Sequence, residues 1–318
     1  MELIDVVEES NQKPDFNQPP MGFNFGKNFL ILLGNVILGA FLAALFSFVI
    51  ALSWGYDFTE LASLLSGFDP DADASLLRWI LMLNQAFTFL LPGLLTAFII
   101  YNRYWFKYLF MNISPKTKNW GLGVLILLCA MPLVQYTFFL NQQIPLPATW
   151  LEQEESTAAI LKLVMTYDHS YVLILNLFLI AVLPALGEEI IFRGLLQKNL
   201  EWVTNNPHAA VWISGFIFSF IHLQFAGFIP RFLLGVVLGY LFYFTQNLWV
   251  PIIAHFFNNG AQVLADFFYK EEMSSVDIEN IESVPWYAGL ISLILVVFLL
   301  YFLKKINDDK PDTGVVSI

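Results

Sequence analysis

Long apolar stretches recur through this chain, and each is close to the length of about 20 residues that a helix needs to cross a membrane. The pattern predicts eight spans, at residues 29–52, 77–101, 120–140, 171–196, 210–228, 230–246, 248–268 and 285–303. Only 13% of the 318 residues are charged, against about 25% in soluble domains, so a water-soluble globule is excluded. The sequence therefore predicts an all-α fold, a polytopic transmembrane helix bundle of about eight spans.

Basic residues in the loops indicate the orientation of the bundle, because positive charge tends to stay on the cytoplasmic side. The side that carries both chain ends holds most of the 15 lysines and arginines. Each loop of the opposite side contributes one basic residue: Arg78, Lys162, Arg231 and Lys270. We therefore expect an integral membrane protein with both termini in the cytoplasm. The absence of a eukaryotic targeting segment favours a bacterial cytoplasmic membrane.

The chain is predicted to consist of one membrane bundle with polar ends. Residues 29–305 form the bundle, whereas residues 1–28 and 306–318 are expected to be flexible cytoplasmic segments. Segment 146–166 mixes acidic and apolar residues, which suits a short helix lying at the outer membrane interface.

Composition also limits the partners and cofactors that the chain can have. A single cysteine, Cys129, rules out a disulfide framework and any cysteine-rich metal site. The net charge of −11 argues against nucleic acid as a partner. The expected partners are the lipid bilayer and a peptide or membrane-protein substrate.

Ionisable side chains within spans are costly, and they usually face the interior of a bundle for a functional reason. In this chain they concentrate in the fourth to seventh predicted spans. Glu189 and Arg193 are four residues apart on one helix face, so we expect an ion pair between them. This pair would leave the adjacent carboxylate of Glu188 free to act as a general base or acid.

Three further polar side chains lie in other predicted spans: His222 in the fifth, and His255 and Asn259 in the seventh. A carboxylate and an imidazole can take a proton from water, and an imidazole and an amide can donate hydrogen bonds to an oxyanion. Taken singly, each of these groups is more simply explained as a contact between helices. Taken together, they favour one site for water-dependent bond cleavage.

Two kinds of chemistry fit this set of side chains. Glu188, His222 and His255 could ligate one Zn²⁺, or the same groups could activate water without a metal. The spacing of the residues does not separate these alternatives. The motifs Gly-x-Ser-x-Gly and His-Glu-x-x-His are both absent, which excludes a serine-hydrolase elbow and the usual zinc metalloprotease helix.

The polar motifs resemble those of the CAAX protease and bacteriocin-processing (CPBP, or Abi) intramembrane proteases, which include the type II CAAX prenyl endopeptidases. The resemblance covers about residues 175–262 and comprises Glu-Glu-x-x-x-Arg, Phe-x-x-x-His and His-x-x-x-Asn motifs. The matching positions are Glu188, Glu189, Arg193, Phe218, His222, His255 and Asn259.

The resemblance implies a role for each of these polar residues. Glu188 and His222 would activate the attacking water, and His255 and Asn259 would form the oxyanion hole. Glu189 and Arg193 would be supporting residues. Members of the family are often labelled metalloproteases, although a metal-free mechanism is also proposed for them, so Zn²⁺ stays open. The implied activity is that of an intramembrane endopeptidase that processes a CAAX-type or leader-peptide substrate.

Two other functions are compatible with a polytopic bundle. A non-catalytic protein of the same fold could bind a partner or confer bacteriocin immunity, but the complete polar set argues against a decayed site. A proton-coupled transporter could use Glu188 and His222 as relay groups. Transporters generally have inverted repeats, whereas the polar groups here are confined to one half of the chain.

Overall fold

The computed structural model describes residues 15–66, 73–274 and 284–308, and within these ranges the chain is helical and contains no strand. The all-α prediction is therefore confirmed. The helices are α1 Phe25–Ser53, α2 Phe58–Leu65, α3 Ala74–Tyr108, α4 Thr117–Gln142, α5 Ala148–Val164, α6 Ser170–Thr204, α7 Pro207–Phe220, α8 Phe225–Thr245, α9 Trp249–Ser274 and α10 Trp286–Asp308.

Six of these helices are long and apolar enough to cross a membrane, among the residues that the structure describes: α1, α3, α4, α6, α8 and α10. The chain is therefore an integral membrane protein. The other two predicted spans correspond to α7, which has only 14 residues, and to the more polar α9. Helix α7 is apolar and exposes Trp212, Phe216 and Phe220, so its short length sets it apart from the spanning helices. Helix α9 carries the polar side chains of His255, Asn258 and Asn259.

The boundary between the fifth and sixth predicted spans differs from the one expected at residues 228–230. Helix α7 ends at Phe220, and α8 begins with a 3₁₀ turn at Phe225–Gly227. The turn between them reverses the chain at Leu223, whose φ of 53° is in the left-handed region. Apolar residues flank the turn on both sides and only His222 and Gln224 interrupt them, so hydropathy averaged along the chain did not place it. His222 consequently lies in the turn and not within a span.

Polar contacts at one end of the bundle bring together segments from both ends of the described chain. The buried Lys198 ammonium donates to the carbonyl oxygens of Phe16 and Tyr108, each at 2.7 Å. The Asn119 amide donates to Asn307 Oδ1 at 3.0 Å. Residues near both termini therefore lie on the same side of the bundle, as the even number of predicted spans requires.

The predicted flexible ends fall largely on residues 1–14 and 309–318, which lie outside the described residues. Within residues 15–24, two phenylalanine side chains contact the bundle. The Phe16 ring contacts Tyr108 edge-on at 5.1 Å, and Phe23 contacts Trp202 in the same way at 5.3 Å.

Glycines allow α7 and α8 to approach each other closely. A Cβ atom on Gly235 of α8 would lie 3.1 Å from the Cα of Gly215 in α7 and 3.1 Å from a ring carbon of Phe218. These distances are shorter than ordinary van der Waals contact. The pair of glycines thus sets the spacing of the two helices that flank the polar side chains.

Helix α6 contains two π-helical segments, Leu177–Val182 and Ile190–Gln197. The second begins directly after Glu189. Such wide turns often occur at functional sites, because they change which side chains point to one face of a helix. The expected face-sharing of Glu189 and Arg193 is nevertheless retained.

Candidate active site

Glu188 and Glu189 are both buried in α6, with 4% and 0% of their surfaces exposed. Arg193 Nη1 donates to Glu189 Oε1 at 2.8 Å, so the ion pair expected from the four-residue spacing is present. In the described part of the chain, no hydrogen bond reaches the carboxylate of Glu188. The two adjacent carboxylates therefore have different surroundings: Arg193 neutralises Glu189, whereas Glu188 is free.

Arg193 connects three helices at the centre of the bundle. Its guanidinium is fully buried, and Nη2 donates to the carbonyl oxygen of Gly235 in α8 at 2.9 Å. The same group lies 4.8 Å from the centre of the Phe218 ring of α7. The Arg193 side chain thus fixes α6 against the α7–α8 pair.

His255 of α9 contacts the carboxylate that Arg193 neutralises. Its Nδ1 atom lies 2.8 Å from Glu189 Oε1. A carboxylate only accepts hydrogen bonds, so Nδ1 carries a hydrogen and donates it to Glu189. Glu189 therefore joins Arg193 to His255, a contact between helices that the sequence motifs did not predict.

The Asn259 side chain is held by three hydrogen bonds. Its Nδ2 atom donates to the carbonyl oxygen of Ile180 at 3.1 Å and lies 3.2 Å from Nε2 of His255. Its Oδ1 atom accepts from the Asn258 amide at 3.0 Å. Because Nδ2 has two hydrogens, both are in use, and the His255 Nε2 lone pair accepts one of them.

His222, in the turn after α7, is oriented by a backbone carbonyl of α7. Its Nδ1 atom lies 2.6 Å from the carbonyl oxygen of Phe218, which can only accept, so Nδ1 carries the hydrogen. The Nε2 atom of a neutral His222 then has a free lone pair. The Phe218 ring contacts both imidazoles, with centroid distances of 5.0 Å to His222 and 6.3 Å to His255. The sequence-predicted residues of all three motifs therefore converge on one region.

The three candidate zinc ligands do not form a metal-binding group as they are placed. Among the described residues, no three His, Cys, Asp or Glu side chains are arranged to hold a metal ion. Both nitrogens of His255 already have partners within the protein. The arrangement of Glu188, His222 and His255 thus does not fit Zn²⁺ without rearrangement, and binding of zinc stays a prediction.

Arg231 is a residue near the site that sequence reasoning treated as a loop cation. It lies in α8, where its guanidinium is partly buried, and it interacts electrostatically with both Glu188 and His222. Its position inside the predicted span 230–246 was the signal that could have identified it, since ionisable residues within spans are functional candidates.

Comparison with known proteins supports the resemblance seen in the motifs. Residues 170–261, which contain all the predicted site residues, match the family model described as type II CAAX prenyl endopeptidase Rce1-like. The resemblance to this family is therefore confirmed over that part of the chain.

One curated protein is similar to a quarter of the chain. An uncharacterized protein, YpbD of Bacillus subtilis (strain 168), is 31% identical over 85 residues, which is 26% of this chain and 40% of the relative. The match thus spans about two fifths of the curated protein. No solved structure matches the chain significantly.

Proposed function

We propose that this protein is an intramembrane endopeptidase that hydrolyses a peptide bond with a water molecule activated by Glu188 and His222. The observation that carries the proposal is the contrast between the two carboxylates of α6. Glu189 is engaged by Arg193 and His255, whereas the buried Glu188 carboxylate has no hydrogen-bond partner in the described chain. A buried carboxylate without a structural partner is available to bind water.

The hydrolytic step follows from the groups at hand. The Glu188 carboxylate takes a proton from water while the water oxygen bonds to the scissile carbonyl carbon. His222 Nε2 accepts a hydrogen bond from the same water and orients it. The carbon–nitrogen bond then breaks, and the proton passes from Glu188 to the leaving amine. The products are a carboxylic acid and an amine, and transfer of the acid proton to the amine gives a carboxylate and an ammonium.

His255 and Asn259 are the proposed donors to the oxyanion. Their hydrogen bonds in the substrate-free protein must rearrange before they can donate to a substrate. The scissile carbonyl oxygen would replace His255 Nε2 as the acceptor of one Asn259 Nδ2 hydrogen. His255 can donate from Nε2 only as an imidazolium, which the hydrogen bond from its Nδ1 atom to Glu189 at 2.8 Å would stabilise. Glu189 and Arg193 would thus act through His255 as positioning residues.

The substrate class is proposed from the matched family. A CAAX-type peptide, with a prenylated cysteine near its C-terminus, would enter from the bilayer, and a leader peptide is the second candidate. Zn²⁺, where present, would supply Lewis-acid activation of the water. The residues as placed do not require it, so we favour the metal-free scheme.

The test is Glu188→Gln, with Glu152→Gln as the matched control on the exposed surface of α5. Purified variants in lipid nanodiscs would be incubated with a fluorogenic peptide ending in S-farnesyl-Cys-Val-Ile-Ser, and with a hydrophobic leader peptide. We expect Glu188→Gln to abolish cleavage while its thermal unfolding is unchanged, because the substitution removes a proton acceptor and little volume.

Cleavage by Glu188→Gln at the wild-type rate would refute the catalytic role. If a folded wild-type protein cleaves neither peptide, a comparison of membrane-protein termini in cells that carry wild type or Glu188→Gln separates an unidentified substrate from a non-catalytic binding protein. Identical sets of termini would favour the non-catalytic alternative.

A further inference from the structure

Arg231 is held in a fixed orientation beside the turn that carries His222. Its Nη1 atom donates to the carbonyl oxygen of Gln224 at 3.0 Å, and Nη2 donates to Gln224 Oε1 at 2.8 Å. Gln224 is two residues after His222, and Arg231 is one helical turn before Gly235, whose carbonyl binds Arg193. The guanidinium is therefore built into the same region as the proposed catalytic groups.

In the described part of the chain, no carboxylate lies within 4 Å of this guanidinium. Among the described residues, the ion pairs within 4 Å all involve Glu189, and none involves Arg231. The acidic groups that interact with Arg231 over a longer range are Glu154 of α5 and Glu188. A guanidinium has five N–H donors, and Gln224 accepts from two of its nitrogens, so donors remain for another acceptor. An arginine in a spanning segment without a direct counter-ion is a functional candidate.

The predicted oxyanion hole, His255 and Asn259, has its hydrogen-bond donors engaged within the protein, so another donor such as Arg231 would be required to bind a substrate oxygen. Both Nδ2 hydrogens of Asn259 are in use, and a neutral His255 accepts at Nε2 and has no hydrogen there. In this arrangement neither His255 nor Asn259 has a free N–H group that could donate a hydrogen bond to a substrate oxygen. Arg231 carries a permanent positive charge and uncommitted N–H groups.

We propose that Arg231 is a further active-site residue that binds an oxyanion of the peptide substrate next to Glu188 and His222. This inference rests on the proposed function and extends it to substrate recognition. The oxyanion has two sources: the free terminal carboxylate of a peptide cut near its C-terminus, or the oxygen that becomes negative at the scissile carbonyl. Both present oxygen acceptors that suit the planar fork of a guanidinium.

The two sources predict different kinetics for Arg231→Gln. The assay uses the S-farnesyl-Cys-Val-Ile-Ser peptide with either a free C-terminal carboxylate or a C-terminal amide. If Arg231 binds the terminal carboxylate, the substitution should raise KM about 10-fold or more for the acid and leave the amide unaffected. If Arg231 binds the scissile oxyanion, kcat should fall about 10²-fold for both peptides. Arg231→Lys keeps the positive charge, so its defect in KM or kcat should be smaller than that of Arg231→Gln.

A purely structural role for Arg231 is tested with Gln224→Leu. This control removes one of the two acceptors that hold Arg231 and leaves its charge in place. If Arg231 only fixes the turn, both variants should lose activity in parallel with thermal stability, on both peptides alike. That result, or unchanged kcat and KM in Arg231→Gln, would overturn the proposal.

A binding measurement separates this inference from the proposed function. Fluorescence anisotropy would report the binding of both uncleaved peptides to Glu188→Gln and to Glu188→Gln/Arg231→Gln. Tighter binding of the acid, lost in the double variant, supports carboxylate recognition even if the wild type cleaves neither peptide. Equal binding of acid and amide would exclude the terminal carboxylate as the ligand, and an unchanged kcat in Arg231→Gln would then exclude the scissile oxyanion and overturn the role of Arg231.

Discussion

The replacement Arg193→Met gives the sharpest test of how the site is held together. It retains most of the side-chain length and removes the charged group, which is fully buried. Three contacts are lost at once: the ion pair with Glu189 at 2.8 Å, the hydrogen bond to the Gly235 carbonyl at 2.9 Å, and the position 4.8 Å from the Phe218 ring centre. The largest effect comes from leaving the Glu189 carboxylate buried without its cation.

Breaking a buried ion pair by removing one partner typically costs about 3–5 kcal/mol. Glu189 retains a hydrogen bond from His255 in this variant, so we expect a loss near the lower end, about 3 kcal/mol in the free energy of unfolding. The assay is reversible unfolding in mixed detergent micelles. Arg103→Met, at an exposed position, is the matched control and should cost about 0.5 kcal/mol or less.

A second replacement identifies the buried charge as the cause. Adding Glu189→Gln to Arg193→Met removes both charges, and we expect this double variant to be more stable than the sum of the two single losses by about 1–3 kcal/mol. Additive losses, or an Arg193→Met variant as stable as Arg103→Met, would refute the argument that this ion pair organises the site.

Three further predictions concern orientation, chemistry and packing. Reporter fusions should place the 102–119 loop in the cytoplasm, because of its basic residues; an external reporter signal there would reverse the orientation. Asn259→Ala should lower kcat about 10²–10³-fold in the metal-free scheme, whereas stoichiometric zinc in purified protein, with activity lost on chelation and restored by Zn²⁺, would favour the metal scheme. Gly235→Ala should destabilise the bundle by about 1–3 kcal/mol in the same micelle assay, because its Cβ would lie 3.1 Å from a neighbouring backbone atom. Gly34→Ala, with open space around it, should not.

Contacts within one helix were predictable, because helical geometry relates sequence distance directly to spatial distance. The four-residue spacing of Glu189 and Arg193 predicted their ion pair, which the structure has. The same spacing placed His255 and Asn259 on one face, and their side chains lie 3.2 Å apart. The apolar stretches likewise identified the six long helices, since the length and composition of a membrane-crossing helix are fixed by the bilayer.

Contacts between helices depended on packing that no spacing rule describes. His255 donates to Glu189 across 66 positions of sequence, so the supporting carboxylate also orients an imidazole. The turn at 221–224 was missed because apolar residues resume directly after it, so its two polar residues, His222 and Gln224, read as isolated polar groups within one long apolar stretch. Arg231 was taken for a loop residue until the fold placed it beside Gln224 and within electrostatic range of Glu188. The sequence by itself determined which ionisable groups accompany the apolar segments, and which of them pair within one helix, as Glu189 with Arg193 and His255 with Asn259. The tertiary structure alone decided which carboxylate is neutralised from a second helix and which is left free, because burial and hydrogen bonding are properties of neighbours that the folded chain brings together.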